Sequence, residues 1–403
     1  MKKVFLITIF ILLPAFLFAG VIKPGVVITK ENYKKYLSEL KRLFPVSTKI
    51  WYIEIGLKNG IVTIPIVKTK YFTPSKGYMK ATKKYKGKCK IGPKKELIGW
   101  IAGTPFPEPK NALELAWDAY PEISHGTSSD DTGLNPSWFG LYSNVRFEKY
   151  FIWNHFKKKY MGRTDNPPIP QMEEALTKGI TSKESFVIVE PFDVKGFSQL
   201  RIRYWDIGKP DDAYAYIPAL RRLRRLTGLD VCDPLLGSDA MNDDFEIWRQ
   251  KLNPKMDFKI LDTREFLVPK TYTKKIEGQL LRKQGPCFQV EWELRPLFVL
   301  EIKINDPDYI YSKRVLFIDK KEGNYTIYQG EFYDQRGRLW RACVYPSIAD
   351  EFHRGTTGHR NIYGAVYMNC ITRHFTPMDI WPEFIVYNPE KVFTIKGLLK
   401  RTH

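Results

Sequence analysis

The sequence is short of the features that mark most enzymes and membrane proteins. After residue 20 there is no long apolar run, so the remaining chain is not expected to cross a bilayer. The five cysteines, Cys89, Cys232, Cys287, Cys343 and Cys370, are widely spaced and form no Cys-x-x-Cys, which excludes zinc-ribbon and thioredoxin-type chemistry. An oxidising compartment would allow one or two disulfides, but an odd number leaves a thiol over or pairs it between chains. A role as small buried apolar residues fits them at least as well. The six histidines form no His-Glu-x-x-His. His353 and His359 would need Glu351 or Asp350 to hold a metal, and a polar loop is the simpler reading. Gly-x-Ser-x-Gly, a phosphate loop and Gly-x-Gly-x-x-Gly are all absent. Asp211-Asp212 and Asp243-Asp244 are carboxylate pairs of a kind common in polar loops. No residue set asks for catalysis, and the chain is expected to be a non-enzyme without cofactor or metal. No repeat at a fixed period is visible.

The first 20 residues, by contrast, carry a clear pattern. Lys2 and Lys3 precede an apolar run from Val4 to Phe18, and small residues, Ala19 and Gly20, close it. This reads as a secretory signal peptide cut after Ala19 or Gly20, with an uncleaved anchor as the alternative. No cysteine follows the cut, which argues against a lipid anchor. The expected location is the periplasm, peripheral to a membrane at most. The formal charge is +20, and loss of Lys2 and Lys3 leaves +18. Such basicity suits an anionic membrane surface or an acidic partner, and export argues against nucleic acid. Aromatic residues make up 14% of the chain, which suits either a β-sheet core of large side chains or an apolar ligand cavity.

Along the chain, Tyr33, Tyr36, Leu37, Leu40 and Leu43 recur at helical spacing over residues 30–44, and Pro45 ends the pattern. A strand is expected within Ile50–Val67, then a lysine-rich, partly helical connection over 68–98. Asn111 is a candidate N-cap with Glu114 three residues on. Residues 121–138 read as a loop, and 171–178 as a short helix. Runs at 186–191, 200–207, 213–218, 258–267, 290–304, 314–318, 324–333, 338–345 and 362–371 read as strands, with a hairpin turn at Asp334-Gln-Arg-Gly337. So many strands with few helices between them predict a mainly β (α+β) architecture: a large curved antiparallel sheet or incomplete barrel, with helices packed on its concave side.

The sharpest local feature is Pro218-Ala-Leu-Arg221-Arg222-Leu-Arg224-Arg225-Leu226. The preceding Tyr214-Ala-Tyr216 favours a strand over a helix. Guanidinium groups suit an anionic head group or an acidic partner. The competing reading pairs them with Asp239, Asp243, Asp244 or Glu246 nearby.

These pieces together resemble the domain of unknown function 1329 family, exported proteins similar to outer-membrane lipoprotein-sorting proteins. The resemblance covers roughly residues 28–395. It rests on Ile28-Thr-Lys-Glu-Asn32-Tyr33 with Tyr36 and Leu40, Gly103-Thr-Pro-Phe-Pro-Glu-Pro109 with Trp117, Tyr214 to Arg225, and Asp243-Asp244-Phe245. It continues with Glu291-Trp292-Glu-Leu-Arg295, Val299 and Glu301, Arg314 to Asp319, and Tyr333-Asp334-Gln-Arg-Gly-Arg-Leu-Trp340. The chain departs from the usual pattern in a short, lysine-rich 46–98 and in Asp118, where an asparagine is usual. The resemblance implies a lipoprotein-carrier (Lol-type) half-barrel serving an envelope transport system. On that basis residues 1–20 are the leader, 21–98 the N-terminal helix and lysine-rich connection, and 99–403 the β domain, with 21–98 and 99–403 forming one unit. The expected cargo is a lipid or other hydrophobic molecule. Tyr204, Trp205, Tyr214, Tyr216, Trp292, Phe298 and Trp340 are the expected apolar contacts, with Arg221, Arg222, Arg224 and Arg225 at a head group or docking partner. The alternatives are an adaptor subunit of an envelope exporter of the resistance-nodulation-division type and, last, an enzyme acting on lipids.

Overall fold

The computed structural model describes residues 21–71, 74–124, 130–227, 232–270, 285–321, 323, 325–350, 360–380, 382–383 and 389–400. The expected leader, together with His125, Glu351, His353, His359 and His403, lies outside them, as does the side chain of Asp350.

The chain opens with β1 (Val27–Ile28) and α1 (Tyr33–Leu43), whose apolar stripe buries Leu40 and Leu43. The next segment, α2 (Val46–Thr48), runs into a π-helix, Lys49–Leu57. The apolar run within residues 50–67 is expected to hold a strand, and only β2 (Ile64–Pro65), paired with β1, is one. The reason is physical: Trp51, Tyr52, Ile53, Ile55 and Leu57 are all buried, and an apolar run without alternation does not distinguish a buried strand from a buried helix. The lysine-rich connection folds into α3 (Lys76–Tyr85) and a small hairpin of β3 (Lys90–Ile91) and β4 (Leu97–Ile98). The Asn111 side chain caps α4 (Ala112–Ala119), accepting from the Leu113 and Glu114 amides at 3.0 Å each.

The remaining strands form one 14-stranded antiparallel sheet, curved and not closed. Its first run is β5 (Asp131–Ser143), β6 (Arg146–Lys159), β7 (Ile180–Glu190), β8 (Ser198–Tyr204), β9 (Asp212–Ile217) and β10 (Arg222–Leu226). The second is β11 (Met256–Pro269), β12 (Trp292–Ile304), β13 (Lys313–Asp319), β14 (Ile327–Tyr333), β15 (Leu339–Asp350), β16 (Arg360–Asn369) and β17 (His374–Asp379), with β18 (Pro382–Glu383) beside β5. A short helix, α5 (Glu173–Lys178), precedes β7, and α6 (Ile395–Lys400) closes the described chain. The spatial order is β10-β9-β8-β7-β6-β5-β17-β16-β15-β14-β13-β12-β11. Each run is thus a meander. The first travels outward to the β10 edge, the chain crosses to the β11 edge, and the second returns to the middle, where β17 pairs with β5. The loop expected over 121–138 is partly strand, because β5 is laddered on both sides despite its Gly, Asn and Pro.

Strand alternation divides the core in two. Phe139, Leu141, Phe151, Trp153, Cys343, Tyr345, Ala365 and Tyr367 face α4 and the crossing segment 232–255, and this side is called the inner face below. Their neighbours Trp138, Tyr142, Ile152, Ala342, Val344, Val366 and Met368 pack on α1 and the π-helix. Helical cover therefore lies on both faces. Glu331 of β14 holds the N-terminal run in place, accepting from the Ser47 amide at 2.8 Å and hydroxyl at 3.0 Å.

Two buried ion pairs join separated sequence motifs. Arg314 of β13 meets Asp244 of the crossing segment at 2.7 Å, and Arg295 of β12 meets Asp319 at 2.8 Å. All five cysteines are free thiols, four of them buried.

Candidate functional site

Between the inner face and the crossing segment lies a cavity of about 120 Å³. Its apolar wall is Trp153, Phe186, Leu235, Phe245, Tyr345, Ala365, Tyr367, Met378 and Ile380. Its polar end is His155, Lys157, Glu184, Arg201, Glu246 and Arg249. Both sides follow from register. Lys157 stands opposite Glu184, which stands opposite Arg201, so three charged side chains of β6, β7 and β8 share one face. One pleat further along, His155 faces Phe186, and the wall turns aromatic.

The charges neutralise one another. The Lys157 ammonium sits 2.9 Å from Glu246, 3.4 Å from Glu122 and 3.8 Å from Glu184. Arg249 lies 2.5 Å from Glu184 and 3.2 Å from Glu246. Deeper in, Arg203 donates to the Tyr120 hydroxyl at 2.8 Å and to the Arg249 carbonyl at 2.7 Å, and lies 3.3 Å from Glu122. Asp211 meets Lys251 at 2.8 Å and Arg201 at 2.9 Å. Burial alone would push the Glu122 carboxyl up, but Lys157 and Arg203 hold it down at about 2. The same contest leaves Glu184 well below its ordinary range, through Arg249 and Lys157. Burial would strip the proton from Lys157, but the three glutamates raise its affinity instead. Lys159, buried and close to Lys157 but less well surrounded by acids, shifts down. The three glutamates present oxygens within 4.8 Å of one another, the spacing of a cation site, and Lys157 supplies the cation.

The residues singled out in the sequence are distributed elsewhere. Trp292 is buried on the opposite face, against Phe44 and Tyr52. Phe298 and Trp340 are half-buried at the inner core, Trp340 edge-on to Tyr311. Tyr214 and Tyr216 pack with Leu200, Phe393 and Leu398. The Tyr204 hydroxyl donates to Asp212 at 2.7 Å. Trp205 stacks on Trp100 with ring centres 5.0 Å apart and lines a second, more open pocket of about 410 Å³ with Trp117, Leu97 and Ile98. None of these seven aromatics lines the cavity described above.

Arg221, Arg222, Arg224 and Arg225 are exposed at the β10 edge. The strand reading of this segment holds over Arg222–Leu226, and the four acids weighed as its partners have contacts elsewhere. Asp239 is taken by His374, Asp243 by Tyr309, Asp244 by Arg314 and Glu246 by Lys157, while Arg225 meets Asp212 at 2.6 Å. The charged end of the cavity escaped sequence reasoning because lysine and glutamate in a strand look like its solvent face. The available signal was the coincidence of charge on three consecutive strands, and it becomes visible only with the register.

A family model, Protein of unknown function (DUF1329), matches residues 27–400, and the chain belongs to that family. Among solved structures it is similar to a DUF1329 family protein from Desulfovibrio piger, at 16% identity and a TM-score of 0.47 over 67% of this chain and 92% of that one. A candidate outer membrane lipoprotein-sorting protein domain from Vibrio parahaemolyticus shows 18% identity and a TM-score of 0.47, over 68% and 94% of the two chains. A LolA superfamily protein from Nitrosomonas europaea shows 14% identity and a TM-score of 0.42, over 71% and 98%. No curated protein matches the chain. Among the described residues no helix is long and apolar enough to cross a membrane.

Proposed function

We propose that this chain is a periplasmic binding or carrier protein for a hydrophobic molecule with a polar end, serving envelope transport without turnover. The observation that supports it is the cavity: aromatic and aliphatic side chains form one wall, and an internally neutralised set of charges forms the other end. Such an arrangement takes up apolar carbons at roughly 25 cal/mol per Å² buried and leaves hydrogen-bonding groups to orient a head. Ligand contacts are assigned to Trp153, Phe186, Phe245, Tyr345 and Tyr367, with His155 and Arg249 toward the head.

Size limits the cargo. The cavity is about 120 Å³, close to the roughly 150 Å³ of an engineered cavity that admits benzene. One ring or a short acyl segment fits as the chain stands. A longer chain requires the crossing segment, which contributes Leu235, Phe245 and Arg249, to move outward.

The test is to express residues 21–403 in a periplasm and examine the protein by native mass spectrometry and organic extraction. Fatty acids of 6 to 16 carbons are then titrated while tryptophan emission is followed. Ala365→Phe places a ring in the cavity and is expected to abolish binding while leaving the fold intact. A protein that is empty as isolated, and stays empty with every acid and with an envelope lipid extract, would sink the carrier reading in favour of an adaptor.

A further inference from the structure

The sheet register brings the β7–β8 and β9–β10 turns to the same end. Val187 stands opposite Ser198 and Ser198 opposite Tyr216, so the two hairpins leave the sheet at one level and side by side. Each ends in an apolar side chain held in water. Phe192 is 92% exposed, Leu220 is 62% exposed, and Leu223 on the edge strand is 38% exposed. Further along the same end, the β5–β6 and β16–β17 turns carry Val145 and Ile371, also exposed. Basic residues flank these tips: Lys195 on the β7–β8 hairpin, Arg221, Arg222 and Arg224 on the β9–β10 hairpin, and Arg146 and Arg373 on the other two. The acids on these four hairpins near their tips are Glu148, Asp193 and Glu190, with Glu148 facing Arg146 at 3.6 Å and Glu54 meeting Arg373 at 2.7 Å.

From this arrangement we infer that the β7–β8 and β9–β10 hairpins form a docking surface for an anionic lipid membrane. Apolar tips enter the interface while arginines meet the phosphates. Charged residues also protect an edge strand from pairing with another chain, but that role does not call for exposed apolar tips, and Phe192 belongs to an internal hairpin. The surface is separate from the cavity, so docking and cargo binding can fail independently.

The experiment is flotation of residues 21–403 with vesicles of phosphatidylcholine alone or containing 40 mol% phosphatidylglycerol, at low salt and at 500 mM salt. Binding to the anionic vesicles is expected, weakened by salt. Each of Arg221→Gln and Arg222→Gln should weaken it about five-fold. Phe192→Ser with Leu220→Ser should reduce the part that survives high salt. Lys83→Gln, on exposed α3, removes the same charge elsewhere and should change little; an equal loss there would show that net charge alone is responsible and overturn the inference. Absence of binding to any vesicle, or binding indifferent to the hairpin variants, would overturn it too. The cavity-filling Ala365→Phe chain should bind vesicles like the unaltered protein, which separates a failure here from a failure of the carrier reading.

Discussion

Asp118→Asn should stabilise this protein at neutral pH, and by an amount that depends on pH. Asp118 is fully buried on α4; its Oδ1 accepts from the Phe106 amide at 2.8 Å, while Oδ2 has no hydrogen-bond partner. Burial raises its carboxyl to about 9 from an ordinary 3.8, despite the Phe106 amide. The folded chain therefore binds a proton that the unfolded chain releases. Relative to a neutral side chain, Asp118 has no penalty below pH 3.8; the penalty grows as pH rises and levels off above about 9. Each pH unit in that window is worth about 1.4 kcal/mol, so by pH 7 the accumulated penalty approaches ~4 kcal/mol as an upper estimate. Asparagine keeps the acceptor for Phe106 and has no proton to lose. The assay is denaturant unfolding of both chains at pH 4, 5.5, 7 and 8.5. The gap between them should be small at pH 4, whatever its sign, and widen steadily in favour of the asparagine. A gap that is constant with pH, or that narrows as pH rises, would refute the reasoning.

Other expectations follow from single contacts. Lys157→Ala removes the cation from among three buried glutamates and should destabilise the fold by about 3–5 kcal/mol; added calcium should restore part of that loss in thermal unfolding, because the carboxylates then present an unfilled cation site. Asn111→Ala loses the cap of α4 and should cost about 1 kcal/mol by chemical denaturation. Gly103→Ala should cost more than about 1 kcal/mol, since Gly103 has φ +79° and an added Cβ would lie 2.4 Å from the Thr82 amide nitrogen. Glu331→Ala should loosen the N-terminal run, read as faster amide exchange over residues 46–57, because two Ser47 donors lose their acceptor.

Much of the architecture was legible because its signals are local. The stripe of α1, the Asn111 cap, the turn at Asp334–Gly337 and most strands depend on neighbours within a few residues. The π-helix was not, because burial of nearly all its apolar residues erases the periodicity that separates helix from strand. Nor was the cavity. Lys157, Lys158 and Lys159 are all buried, and a pattern that assigns lysine to solvent cannot place three in succession inside. Their burial is made tolerable by acids from α4's flank, from β7, from the crossing segment and from Glu390, partners that only the folded topology supplies. The motif residues behave differently again. Asp244, Arg295, Arg314 and Asp319 pair among themselves, so they mark how the second meander and the crossing segment lock together rather than where a ligand sits.

The edge-to-edge crossing also dictates an order of events during synthesis. The seam between β5 and β17 joins residues as far apart in the chain as Ser143 and His374. Until the last strand emerges, β5 is an unpaired edge and the inner aromatic face of the first meander lacks half its cover. Contacts of such high sequence separation form slowly. A nascent chain of this design therefore passes through an open half-sheet, a state exposed to aggregation until the seam closes.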